Sequence, residues 1–232
     1  MSLLAATCHI DLRQESTARA RLRTATALAK QIERPDIEVW CLETEAWARL
    51  TNGDYSTALK LSRGAQELAP RNSSILIQAT AQEGRVLARL RDRQTYDVLN
   101  RLQRLTEPLA SPATPEHHFV YDPQKAVSYL ATTLAWLGDP AAEEPARIVI
   151  ANAPPGKRPR RIALARIDLA SCLITHGRTD EAVAEARKAI LSGYVAPSSE
   201  WRVTEAIMTA EEKASRRRRT CERPIWKRPI WK

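Results

Sequence analysis

The sequence predicts an all-α protein, an α-solenoid of about five antiparallel helix pairs, and three observations carry that prediction. Only 7 Gly, 5% aromatic content and few Val or Ile runs stand against abundant Ala, Leu, Arg and Glu, a balance that favours helix over sheet in nearly every window. Small residues return at fixed spacing along the chain, as in architectures built from one repeated supersecondary unit. The proline-rich stretches fall between the periodic segments, where helices have to end. With 232 residues and 44% hydrophobic content, each pair can bury its apolar face against its neighbours.

The pairs follow in chain order. Ala6, Ala18 and Ala25 stand 40 residues before Ala46, Ala58 and Ala65, so residues 3–32 read as a first helix pair with a longer turn around Asp11 to Ser16. The second pair is the clearest. Ala46 precedes Gly53 by seven residues, Asp54 and the aromatic Tyr55 follow, Ala58 and Ala65 stand seven apart, and Pro70 closes the unit. Each position has a mechanical reason: two helices crossing closely need Ala or Gly where they touch, Gly53 ends the first helix, and Pro70 stops the second. This spacing resembles the tetratricopeptide pattern. A third, degenerate pair over residues 73–106 places Ala81 after Ala46 by 35, with Arg93 and Asn100 at the small positions of its second helix. A fourth covers 123–151 around Gly138-Asp139. In the fifth, Ala170, Gly177, Ala182 and Ala189 repeat Ala46, Gly53, Ala58 and Ala65 after 124 residues.

Two breaks interrupt the array. Residues 106–123 contain Pro108, Pro112, Pro115 and Pro123 and read as a linker or an ordered loop on the binding face; residues 153–161 form the second break. After about Ala214 the composition changes to four consecutive arginines and then a repeated Arg-Pro-Ile-Trp-Lys unit. The expected division is a helical repeat domain over 1–212 and a disordered basic tail over 213–232. That tail carries nine positive charges against Glu222, +8 of the formal +9, which leaves +1 for residues 1–212. The folded body thus lacks the charge of a nucleic-acid binder, and affinity for polyanions is expected only from Arg216, Arg217, Arg218 and Arg219 with the stacking surfaces of Trp226 and Trp231.

No stretch approaches the length of an apolar membrane span, and the N-terminus lacks the pattern of a secretory signal, so a cytoplasmic protein is expected. Cys8, Cys41, Cys172 and Cys221 show neither metal-ligand spacing nor a disulfide framework. No nucleophile-base pairing, phosphate-cradling loop or paired-carboxylate constellation is legible, so neither an enzyme nor a cofactor is expected. One ligand-like cluster can be argued: His117, His118, Tyr121 and Asp122, next to Glu116 in the first break, form a possible effector loop. Adjacent histidines diverge and make a poor chelate. Trp40, Trp47, Trp136 and Trp201 lie in predicted helices, as core residues or as groove anchors. Arg158, Arg160 and Arg161 read as a solvated loop or as contacts for an acidic ligand.

One family enters on particular residues. His117-His118-Phe119-Val120-Tyr121-Asp122-Pro123, followed by Ser128-Tyr129-Leu130-Ala131 and Trp136-Leu137-Gly138-Asp139-Pro140, resembles the C-terminal sensor half of bacterial helix-turn-helix regulators of the xenobiotic-response-element type. Arg161-Ile162-Ala163-Leu164-Ala165-Arg166 and Pro197-Ser198-Ser199-Glu200-Trp201 fit the same resemblance, which covers roughly residues 3–210. In that family a short DNA-binding domain precedes a tetratricopeptide-like array. The resemblance implies an effector-sensing or protein-interaction module of a transcriptional regulator, with a peptide, small molecule or protein held in the concave groove by the first helices of successive pairs. No helix-turn-helix is legible here, so DNA contact is expected only indirectly or through the tail. A free-standing tetratricopeptide adaptor and a nucleic-acid-associated protein acting through its tail are the alternatives, and a homodimer is left open.

Overall fold

The structure, a computed structural model, describes residues 1–110, 112, 117–153 and 156–221, with side chains described as far as Ser215. Among these residues there is no strand. The helices are α1 (Ser2–Asp11) with α2 (Glu15–Gln31), α3 (Pro35–Thr51) with α4 (Tyr55–Leu68), α5 (Ser74–Leu90) with α6 (Gln94–Thr106), α7 (Pro123–Leu137) with α8 (Glu143–Ala151), α9 (Pro159–Thr175) with α10 (Thr179–Leu191), and a last α11 (Glu200–Cys221). Single turns of 3-10 helix at Pro140–Ala142 and Pro197–Ser199 lead into α8 and α11. The chain is an all-α solenoid of five antiparallel pairs closed by one further helix.

Local sequence explains where the helices begin and end. Proline occupies the first turn of α3, α7 and α9, where its missing N–H costs nothing. Asp54 accepts from Thr57 N at 3.2 Å and Ser73 from Leu76 N at 3.2 Å, each satisfying an otherwise unpaired donor at a helix start. Gly53 and Gly177 end α3 and α9 in the same left-handed turn, at φ +80° and +77°.

The small residues are buried where helices cross: Ala46, Ala58, Ala65, Ala170, Ala182 and Ala189 are each 0–1% exposed. Tyr55 packs beside the buried Leu50, Ala58 and Val86, and Pro70 follows the extended Ala69 that terminates α4. In α6 the inward positions are Thr95, Val98 and Leu102. Arg93 and Asn100, expected at the crossing, are exposed, because the seven-residue spacing is kept two positions later, by Thr95 and Leu102.

A second difference concerns the C-terminal boundary. Helix α11 runs through residue 212 to Cys221, so the break in composition is not a break in structure. The reason is chemical. Residues 210–219 are dominated by good helix formers, arginine included, and the first proline after them is Pro224. Lys213, assigned to the tail by composition, donates its Nζ to Ile174 O at 3.0 Å and Thr175 O at 2.9 Å, a cation on the unpaired carbonyls at the end of α9.

Consecutive pairs stack through their first helices, with α3 against α5, α5 against α7, α7 against α9, and α11 covering α9. The curvature brings the two ends together, so that α1 touches the Pro197–Ser199 turn. Asp11 forms an ion pair with Arg160 and accepts from the Ser198 hydroxyl at 2.8 Å. Arg89 on α5 reaches across to Glu205 on α11 with two bonds of 2.9 and 2.8 Å. Among the described residues no helix is long and apolar enough to cross a membrane.

Candidate functional site

The inward faces of α1, α3, α5, α7, α9 and α11 surround a half-enclosed cavity of about 370 Å³. Its walls are far from a hydrocarbon core. Arg85, Lys125, Glu43 and Asp168 face it together with Trp47, Trp136 and Trp201. Nine buried side-chain polar atoms lack a hydrogen-bond partner among the described residues, and six of them belong to residues lining this one cavity: Thr44, Arg85, His118, Ser128, Trp201 and Arg202. Buried polar groups in folded proteins are nearly always paired, so their concentration in the residues around one space marks that space as the candidate site.

One end of the cavity is a polar network. Glu43 is 5% exposed and accepts from Gln78 Nε2 at 3.0 Å; the same amide nitrogen lies 2.9 Å from the Tyr129 hydroxyl. Burial pushes the Glu43 carboxyl above its ordinary range, against the opposing pull of the Gln78 bond and the Arg85 and Lys125 charges. The Arg85 guanidinium lies 4.3 Å over the Tyr129 ring and donates to Gln82. Lys125 donates to Val120 O at 3.2 Å.

The other end is aromatic and ionic. Trp136 and Trp201 pack with ring centres 5.4 Å apart, and the Arg202 guanidinium lies 5.3 Å from the Trp136 ring. Asp168, 2% exposed, pairs with Arg202, 7% exposed, and accepts from Thr132 Oγ1 at 2.7 Å. Arg89 sits behind the tryptophans, 4.9 Å from the Trp201 ring.

The possible effector loop is divided by the structure. His118 lines the cavity and is held there by Trp40 and Phe119, at ring-centre distances of 5.9 and 4.9 Å. Burial, then the nearby Lys125 and His117, push its pKa down and favour the neutral ring. Tyr121 is 3% exposed and stacks on Tyr129 at 6.2 Å. Asp122 is 1% exposed; it accepts from Gln124 N at 3.0 Å to start α7 and pairs with Arg158 and Arg161 at 3.3 and 3.4 Å. His117 lies on the outside, its Nδ1 accepting from Phe119 N at 3.3 Å. Of the four, only His118 lines the cavity; Tyr121 and Asp122 fasten the loop that presents it. Glu116 lies outside the described residues.

The three arginines of the second break are engaged within the fold, Arg160 with Asp11 and the other two with Asp122. Of the basic positions singled out for polyanion contact, Arg216, Arg217, Arg218 and Arg219 fall on α11 with side chains outside the description, and Trp226 and Trp231 lie outside the described residues. Glu143, Cys172 and His176 bring ligand atoms within 4.8 Å of one another. Arg178 donates to Glu143 at 2.7 and 2.9 Å and Arg147 at 2.9 Å, and burial pushes the Cys172 thiol up. Two guanidinium charges on the only carboxylate and a protonated thiol describe an ion-pair network rather than a divalent-cation site.

Sequence reasoning located the tryptophans but missed Glu43, Arg85 and Asp168. A signal existed for Asp168, a lone acid inside the apolar run Ile167 to Ala170; Arg85 and Glu43 look like ordinary surface residues of amphipathic helices until the ring closes. No significant match to the chain is found among protein-family models, curated proteins or solved structures.

Proposed function

We propose that the chain is a ligand-binding helical repeat module, the sensor part of a transcriptional regulator, and that its ligand is a small molecule held inside the ring of tetratricopeptide-like pairs. The observation that carries this reading is that six residues lining one cavity, Thr44, Arg85, His118, Ser128, Trp201 and Arg202, each hold a buried polar atom without a partner among the described residues. A volume of about 370 Å³ falls in the range of small-molecule sites, which are typically about 300–1,000 Å³. A ligand touching α3, α5, α7, α9 and α11 at once would stabilise the closed curvature over any opened form, and such differential stabilisation is what converts binding into a signal. The regulator assignment rests on the resemblance of residues 116–140, 161–170 and 197–202 to sensor regions. Binding, rather than catalysis, is the role proposed for these groups.

The alternative is a free-standing adaptor that holds another protein on the same repeats. Thermal unfolding of the full chain in the presence of fractionated extract of its source cells separates the two. A rise in Tm from the dialysable fraction is expected for a sensor; a rise from the macromolecular fraction alone would replace the sensor with the adaptor.

A further inference from the structure

The cavity also constrains the chemistry of its occupant, an inference that rests on the small-molecule reading above. Most charges that line it are paired in place: Asp168 with Arg202, Arg160 with Asp11, Arg161 with Asp122. Arg85 and Lys125 are not. Among the described residues Arg85 bonds only to the Gln82 amide and covers the Tyr129 ring, with its buried Nε donor unpartnered, while Lys125 donates to a backbone carbonyl. Neither has a carboxylate in ion-pair contact among the described residues. Glu43 is the acid that feels both charges, and its burial weakens its ability to neutralise them. A partly desolvated guanidinium and an ammonium facing one space without a paired anion favour an anionic guest.

The apolar half of the guest is set by the tryptophans of the same cavity. Trp136 and Trp201 pack on each other with ring centres 5.4 Å apart and both line the cavity with Trp47, and Trp201 Nε1 is a buried donor without an acceptor among the described residues. Aromatic walls of this kind favour flat bodies. A planar carboxylate matches the fork of a guanidinium and accepts from an ammonium beside it.

We infer that the cavity binds a small planar organic monocarboxylate, its carboxylate held by Arg85 and Lys125 and its flat apolar body lying against Trp136 and Trp201.

The test is calorimetric titration of the full chain with 2-naphthoate and with 2-naphthamide, its uncharged counterpart of nearly the same shape. Naphthoate should bind at least about tenfold more tightly than the amide. That ratio should fall towards unity in Arg85→Gln and Lys125→Gln and persist in Arg93→Gln, a control at the exposed residue just before α6. Equal affinity of the two probes would overturn the anion inference and leave the small-molecule reading standing. A preference unaffected by Arg85→Gln and Lys125→Gln would place the anion elsewhere and overturn the inference as well. If neither probe binds, the inference fails, and the extract-dependent Tm decides separately whether the small-molecule reading survives. Should a variant not fold, the wild-type ratio alone decides.

Discussion

The Ser198 hydroxyl donates to Asp11 at 2.8 Å across 187 residues of sequence, and Arg160 pairs with the same carboxylate. One acid at the end of α1 thereby ties the first helix pair to the turn before α11 and to the start of α9. Two of its partners, Arg160 and Ser198, also line the cavity, so the tie lies on the cavity's rim. Asp11→Ala should cost about 1 kcal/mol or less in global stability, because Arg160 is well exposed. Its local effect should be larger: hydrogen exchange should speed up in α1 and in the Pro197–Ser199 turn and stay unchanged in α4. Equal protection of α1 in wild type and variant would show that this contact does not hold the ring closed.

The Asp168–Arg202 pair is of another kind, since both groups are nearly inaccessible. Removing one partner of a buried pair leaves the other charged and desolvated, at a cost of about 3–5 kcal/mol. Arg202→Met should lower urea-unfolding stability by that order, and adding Asp168→Leu to it should recover most of the loss. A double variant as unstable as Arg202→Met would mean that packing on Trp136, rather than the ion pair, sets the cost.

Glu43 gives the folded protein a distinctive pH response. Its carboxyl lies above the ordinary value of 4.5 because of burial, so the folded state holds the proton more tightly than the unfolded chain. The resulting stability is fully present below about pH 4.5 and is lost as pH rises through the raised folded value. In Glu43→Gln that loss disappears. The Tm difference, variant minus wild type, should therefore grow as pH increases above 4.5; a difference independent of pH would show that Glu43 titrates normally.

Glycines give a prediction of opposite signs. Gly53 has open space where a Cβ would go, but φ is +80°, so Gly53→Ala should destabilise by about 1–2 kcal/mol through the backbone alone. Gly64 lies inside α4 with equally open space and no positive φ, so Gly64→Ala should stabilise by about 0.5–1 kcal/mol. Chemical denaturation of the two variants reads both signs directly.

The helix pairs could be read from sequence because their determinants are local: Ala46, Gly53 and Ala58 all lie within one helix pair. The closure could not. Contacts such as Asp11 with Ser198 or Arg89 with Glu205 depend on the twist accumulated over five pairs, which no single spacing encodes. The same limit hid the cavity, since Glu43, Arg85 and Asp168 lie on separate helices and converge only when the ring has formed. At residue 212 composition changes while helix propensity does not, and α11 continues to Cys221.

The most direct test of the central claim is a native mass spectrum of the full chain purified from its source cells, compared with Ser128→Trp, which fills the cavity from α7. The wild type should carry a small-molecule adduct that the folded variant lacks. An adduct retained equally by both, or a protein partner in its place, would contradict the assignment of the cavity as the ligand site.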